Sequence, residues 1–183
     1  MSIPTTVQAA ITRGDLCFLP LQVQSDATAR HMVLHPQIVA DLARSLEIPR
    51  MFELQAELES FVRGDHMTMC FTPFQHKRAR IGLLDPVALG IWDIRCQHRK
   101  PGVRVLGRFA AKDCFVGLEW RPRSKPIDGF NNTPLSEMRS GNEFTFASLE
   151  VEQHWKRILG EASYVSGGNI SDYISENRSR YGN

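Results

Sequence analysis

Between Ile91 and Lys125 apolar and polar residues alternate in three short runs, and this period-two pattern predicts three β-strands. In Ile91–Cys96, positions Ile91, Asp93 and Arg95 share one face and Trp92, Ile94 and Cys96 the other. Val103–Ala110 follows the turn signal Pro101-Gly102, with Val103, Val105 and Phe109 spaced by twos and fours. Cys114–Trp120 follows the polar corner Ala111-Lys112-Asp113 and carries the strand formers Phe115, Val116, Leu118 and Trp120. Connections this short force antiparallel neighbours, so the three runs predict a β-meander. With the hairpin centred near Arg99-Lys100, Arg95 and Arg104 fall opposite one another on one face. The meander thus has one apolar face and one arginine-bearing face.

Helical spacing appears on both sides of it. Ile38, Val39, Leu42 and Leu46 predict a helix over 36–47, opened by His35-Pro36 and closed before Pro49. Phe52, Leu54, Leu58, Phe61 and Val62 predict a second over 50–63, with Glu53, Glu57 and Glu59 on its polar side and Gly64 as its stop. A third is predicted over 147–161 from Leu149, Trp155, Ile158 and Leu159, with Ser148 as N-cap. Asp15–Val23 is apolar enough for a strand, but Pro20 interrupts it, and Met67–Phe71 is a possible short strand. The stretch 122–142 is loop-like, and the tail from Ser163, poor in apolar residues, is expected to fray or dock weakly. These elements predict an α+β fold, an antiparallel sheet packed against two N-terminal helices with an additional C-terminal helix. Residues 1–35 are an extension of undefined structure, 36–126 the α+β domain, and 127–183 a loop, a helix and a flexible tail.

At 183 residues the chain predicts one domain, and 42% hydrophobic residues suffice for a core. No apolar run reaches membrane-span length, and the N-terminal stretch lacks a secretory pattern. Cys17, Cys70, Cys96 and Cys114 are scattered without a CxxC pair, which fits a reduced, cytoplasmic protein. The net charge of +2 hides an asymmetry. Residues 1–70 hold five Lys/Arg against eight Asp/Glu (−3), 71–126 hold twelve against four (+8), and 127–183 hold five against eight (−3). A segment so basic points to a phosphate-bearing partner.

Metal and nucleotide chemistry find little footing. His31 and His35 lack the glutamate of a zinc-protease helix, and His66, Cys70, His76, Cys96, His98 and Cys114 lack structural-zinc spacing. Neither a GxxxxGK nor a GxGxxG loop occurs, so no small-molecule cofactor is expected. The arginines remain. Planar, permanently charged guanidinium groups suit the charge that grows on a phosphodiester being cleaved. Arg95, Arg104 and Arg121 are the candidate catalytic clamps and His98 the candidate proton shuttle. Lys77, Arg78, Arg80, Arg99, Lys100, Arg108, Arg123 and Lys125 are the candidate nucleic-acid contacts.

On these residues the chain resembles the RelE/ParE toxin superfamily of bacterial toxin–antitoxin systems. The resemblance rests on Asp93-Ile94-Arg95, on Pro101-Gly102-Val103-Arg104-Val105-Leu106, and on Phe115–Trp120 with its basic end Arg121, Arg123 and Lys125. It covers 91–125 closely and the preceding helix pair in kind and order. It implies cleavage of ribosome-bound mRNA, or poisoning of DNA gyrase, with an antitoxin protein as partner. Arg104 matches the arginine that supports the scissile phosphate, Arg95 an arginine of the strand before it, and Arg121 or Arg123 a further basic position. A ribose 2′-hydroxyl held in line with the next phosphate serves as nucleophile, so such a nuclease needs no metal. The expected function is therefore a toxin-like, RNA-directed protein, an endoribonuclease using arginine clamps. The alternative is a non-enzymatic module that binds nucleic acid or a partner, including a gyrase-inhibitor-like toxin, through the same basic sheet.

Overall fold

Three strands form where the alternation places them: β5 (Trp92–Cys96), β6 (Val103–Ala111) and β7 (Cys114–Pro122). They come from a computed structural model that describes residues 2–22, 29–44, 49–73, 79–96, 102–124, 127, 130, 133–135 and 143–175. Before them run α1 (Thr5–Arg13), β1 (Cys17–Phe18), β2 (His31–Leu34), α2 (Pro36–Ala43), α3 (Pro49–Val62), β3 (Met69–Cys70) and β4 (Ile81–Leu83); α4 (Glu143–Leu159) and α5 (Ile170–Tyr173) follow.

The fold is α+β, but its sheet is mixed rather than a plain antiparallel meander. Among the described residues seven strands lie in the order β1-β2-β7-β6-β5-β4-β3. The central β4–β7 ladder is antiparallel, whereas β2 pairs with β7, and β3 with β4, in parallel. His31–Leu34 gave no strand signal because all but its first residue are buried, which removes the alternation of a one-sided strand. Pro20 confines the Asp15–Val23 run to the two-residue β1 at the edge.

Helices cover both faces. On one side α2 and α3 bring Ile38, Leu42, Leu54, Leu58 and Phe61 against Trp92, Ile94, Val105, Phe109, Phe115 and Trp120. Asp41 of α2 accepts a 2.7 Å hydrogen bond from Trp120 Nε1, which satisfies a buried indole. On the other side Val7 and Ala10 of α1 and Ala147, Val151, Trp155 and Leu159 of α4 pack on Leu106, Val116 and Leu118. The arginine-bearing face expected to be open is therefore roofed.

The true apolar stripe of α4 is Ala147, Val151, Trp155 and Leu159; the expected core position Leu149 is 43% exposed. Ser148 sits inside the helix instead of capping it, and its Oγ donates to Asp85 O at 3.1 Å. Nor does the described tail fray. Tyr173 and Ile174 are buried in the α2–α3 core, and Asp113, at φ 62° in the β6–β7 turn, accepts bonds from Ser175 N at 2.7 Å and from its hydroxyl. Arg30 lies 3.5 Å from the same carboxylate, so a turn, β2 and the tail are tied at one buried charge.

Candidate functional site

The strand register brings three of the predicted arginines into one row. Arg95 opposes Arg104, and Arg104 opposes Arg121. Like charges directly opposite on adjacent strands repel, and here they are buried as well. Asp93, two residues before Arg95 and so on the same face, resolves the conflict. Its fully buried carboxylate accepts from Arg95 Nε at 2.7 Å through one oxygen and from Arg104 through the other. Burial pulls the Arg104 guanidinium's pKa down and Asp93 pulls it back up. Gly82 on β4 opposes Asp93, and a Cβ there would meet the Arg95 guanidinium and Asp93 Oδ1, so a side chain at this position would displace the pair.

Helix α4 closes the row from above. Arg104 lies under the Phe144 ring, 5.1 Å from its centroid, and Arg121 pairs with Glu150 at 2.9 Å. Arg108 donates to Leu89 O at 2.9 Å and is covered by Tyr164 and Trp155, at 4.1 and 5.3 Å. Arg80 pairs with Glu57 of α3 at 2.5 Å. The expected clamps Arg95 and Arg104 are thus spent on an internal carboxylate. Arg123 remains exposed, without an ion pair among the described residues. His98, Lys77, Arg78, Arg99, Lys100 and Lys125 lie outside the described residues.

Comparison with family models, with curated proteins and with solved structures found no match.

A second polar cluster escaped the sequence reading. At Leu106/Gly107 the β6–β7 register shifts, so that Leu106 opposes Glu119 while Gly107 opposes Gly117. This β-bulge turns Glu119 towards the α4 side, beside Leu118. A side chain at Gly107 would collide with the Val116 carbonyl, so glycine permits the close approach. Glu119 then meets Arg121 at 3.3 Å and His154 Nδ1 at 2.8 Å. The His154 contact is a charge contact without hydrogen-bond direction, because that nitrogen makes no hydrogen bond within the described residues. Burial raises the Glu119 carboxyl, against the pull of Arg121 and His154.

The His154 ring stacks on His35, centroids 6.2 Å apart and planes at 22°. His35 is the N-cap of α2, its Nδ1 accepting from Gln37 N at 3.3 Å. A cavity of about 330 Å³ opens beside it, lined by Gly14, Asp15, His35, Pro36, Arg157 and Ile158. Only the helix-opening His35-Pro36 was visible beforehand; nothing local couples it to a histidine on α4. Among the described residues no group of three or more His, Cys, Asp or Glu is arranged to hold a metal, and no helix is long and apolar enough to cross a membrane.

Proposed function

We propose that the chain is a toxin-like, RNA-directed protein of RelE/ParE-like type that binds RNA through the basic end of its sheet. The observation that carries this reading is where the strands stop. Ile81 opposes Ile94 in the first hydrogen-bonded pairs of β4 with β5, Cys96 opposes Val103, Val103 opposes Pro122, and Arg123 N donates to Gly102 O at 2.8 Å. Residues 80, 96, 102, 103, 122 and 123 therefore lie at one end of the sheet, and the segments 74–80, 97–102 and 121–126 adjoin them in sequence. All three lack acidic residues. Lys77, Arg78, Arg99, Lys100, Arg123 and Lys125 supply its charge by sequence, while Arg80 and Arg121 are paired elsewhere.

Support for the family likeness is the order of parts, a helix pair α2–α3 that precedes the β4–β7 ladder and packs on one face of it. Support for binding over cleavage is the Asp93 network, which holds Arg95 and Arg104 inside the protein. The test is fluorescence anisotropy with a single-stranded RNA. About six phosphate contacts predict that affinity falls by two to three orders of magnitude between roughly 50 and 200 mM salt. Charge reversal at Arg99, Lys100 and Arg123 should abolish that salt dependence, while Arg104→Met should change affinity less than about threefold, because it removes no phosphate contact. Affinity that does not vary with salt refutes the reading. RNA cleavage lost specifically in a folded Arg104→Met would restore the nuclease alternative.

A further inference from the structure

The cleft beside His35 plays no part in the sheet-end reading. It forms where the end of α1, the start of α2 and the last turns of α4 meet, and its polar groups are unequally engaged. The carboxylates are occupied. Asp15 receives Arg13 Nε at 2.8 Å, Glu119 holds Arg121 and His154, and Glu150 holds Arg121. The donors are not. Arg157, on the cleft wall, makes no ion pair with any described residue and offers a planar fork of N–H groups. His35 Nδ1 already accepts from Gln37 N, so the neutral ring carries its proton on Nε2, as a further donor. His154 is not among the lining residues; it backs His35 through the ring stack and lies against Glu119.

A cleft with the spare donors of Arg157 and His35, whose one lining carboxylate, Asp15, is paired with Arg13, suits an oxyanion with several acceptor oxygens. We propose that it binds the phosphate group of a phosphate ester, with the Arg157 guanidinium as the fixed contact and His35 as a contact strengthened by protonation. The cavity admits one phosphoryl group with part of its ester. The electrostatics run the same way. Burial, then His154 and Arg157, lower the His35 pKa, and only Asp15 opposes them. The charged groups around the pair are Asp15 after α1, Glu119 and Arg121 on β7, and Arg157 on α4. A bound phosphate opposes that lowering, because its negative charge favours the His35 imidazolium ion.

The experiment is NMR of the histidine ring signals of the full chain, titrated with inorganic phosphate near pH 6 and pH 8, on either side of the ordinary histidine value. The His35 signals should move saturably and the apparent pKa of His35 should rise with phosphate, so that protonation of His35 favours binding. Arg157→Ala, an exposed substitution, should weaken binding about tenfold, as for one charge-assisted contact. His35→Asn keeps an N-cap oxygen but removes the titrating ring, so it should weaken binding near pH 6 and leave it less dependent on pH. Two further titrants separate the sources. Uridine 5′-monophosphate displacing phosphate assigns the cleft to small phosphoesters; an oligouridylate without terminal phosphate doing so assigns it to the RNA backbone. No saturable shift at His35 up to about 50 mM phosphate, well beyond millimolar affinity, overturns the proposal. So does a response unchanged by Arg157→Ala. Arg123→Ala should weaken RNA binding at the sheet end and leave the phosphate response intact, so the two readings fail separately.

Discussion

Replacing Asp93 by asparagine tests whether the arginine row is structure or binding surface. Asp93 is fully buried, Arg95 is 4% exposed and Arg104 6%. One carboxylate meets both guanidinium groups, through separate oxygens. Asparagine fits the same space but removes the charge and puts an NH₂ where one guanidinium needs an acceptor. Breaking a buried ion pair from one side costs about 3–5 kcal/mol, since the stranded charge must stay buried or drag water inward. For a domain of this size each kcal/mol moves Tm by about 2–4 °C, so Asp93→Asn should lower Tm by roughly 6–20 °C. Urea unfolding should show a lower midpoint at an unchanged slope, which marks a loss of stability without altered compactness. The triple change Asp93→Leu, Arg95→Met, Arg104→Met should recover most of the loss, because a hydrophobic replacement of a buried ionic cluster is often neutral or better. A loss under about 1 kcal/mol for Asp93→Asn would refute this reasoning. The arginines would then be served by solvent and free to hold a phosphate.

Three other outcomes follow from the geometry. Burial lowers the pKa of both His31 and His35 from 6.5, so the unfolded chain takes up their protons first. Their stabilisation is complete above pH 6.5 and declines below it down to the folded pKa values, so the urea midpoint should fall as pH drops through about 6.5, and less steeply in His35→Asn. The raised Glu119 carboxyl acts in the opposite sense, with the folded state taking up its proton first, so the deciding comparison is between variants: a pH dependence unchanged by His35→Asn would contradict the burial of His35. Tyr173 donates its hydroxyl to Gly167 O at 2.8 Å and lays its ring against Trp92 at 4.7 Å, so Tyr173→Ala should cost about 3–5 kcal/mol in unfolding free energy. A frayed tail would give no change. Burial pushes the Cys114 thiol up to about 12, so brief alkylation read by mass spectrometry should label Cys70 well before Cys114; equal labelling would mean that β7 is not covered.

Much of the local architecture is present in the chain itself. Alternation over Trp92–Cys96, Val103–Ala111 and Cys114–Pro122 places β5–β7 within a residue or two, and the short connections set their antiparallel order. Even the Arg95–Arg104 pairing follows, because a hairpin's register is counted from its turn. Periodicity likewise places α2, α3 and α4. What those patterns do not carry is what lies over each face. Arginine alternating with apolar residues reads as a solvent face, yet α1 and α4, from opposite ends of the chain, cover it, and Asp93 makes that cover tolerable by supplying the counter-charge. The parallel β2–β7 pairing, the burial of Tyr173 and the meeting of His35 with His154 are likewise contacts between segments far apart in sequence. The bulge that turns Glu119 towards His154 leaves no period of its own, since one extra residue in a strand shifts the faces without changing the composition. Local periodicity determines which elements form; the charge and shape complementarity of distant segments decides which of their residues remain available to a ligand.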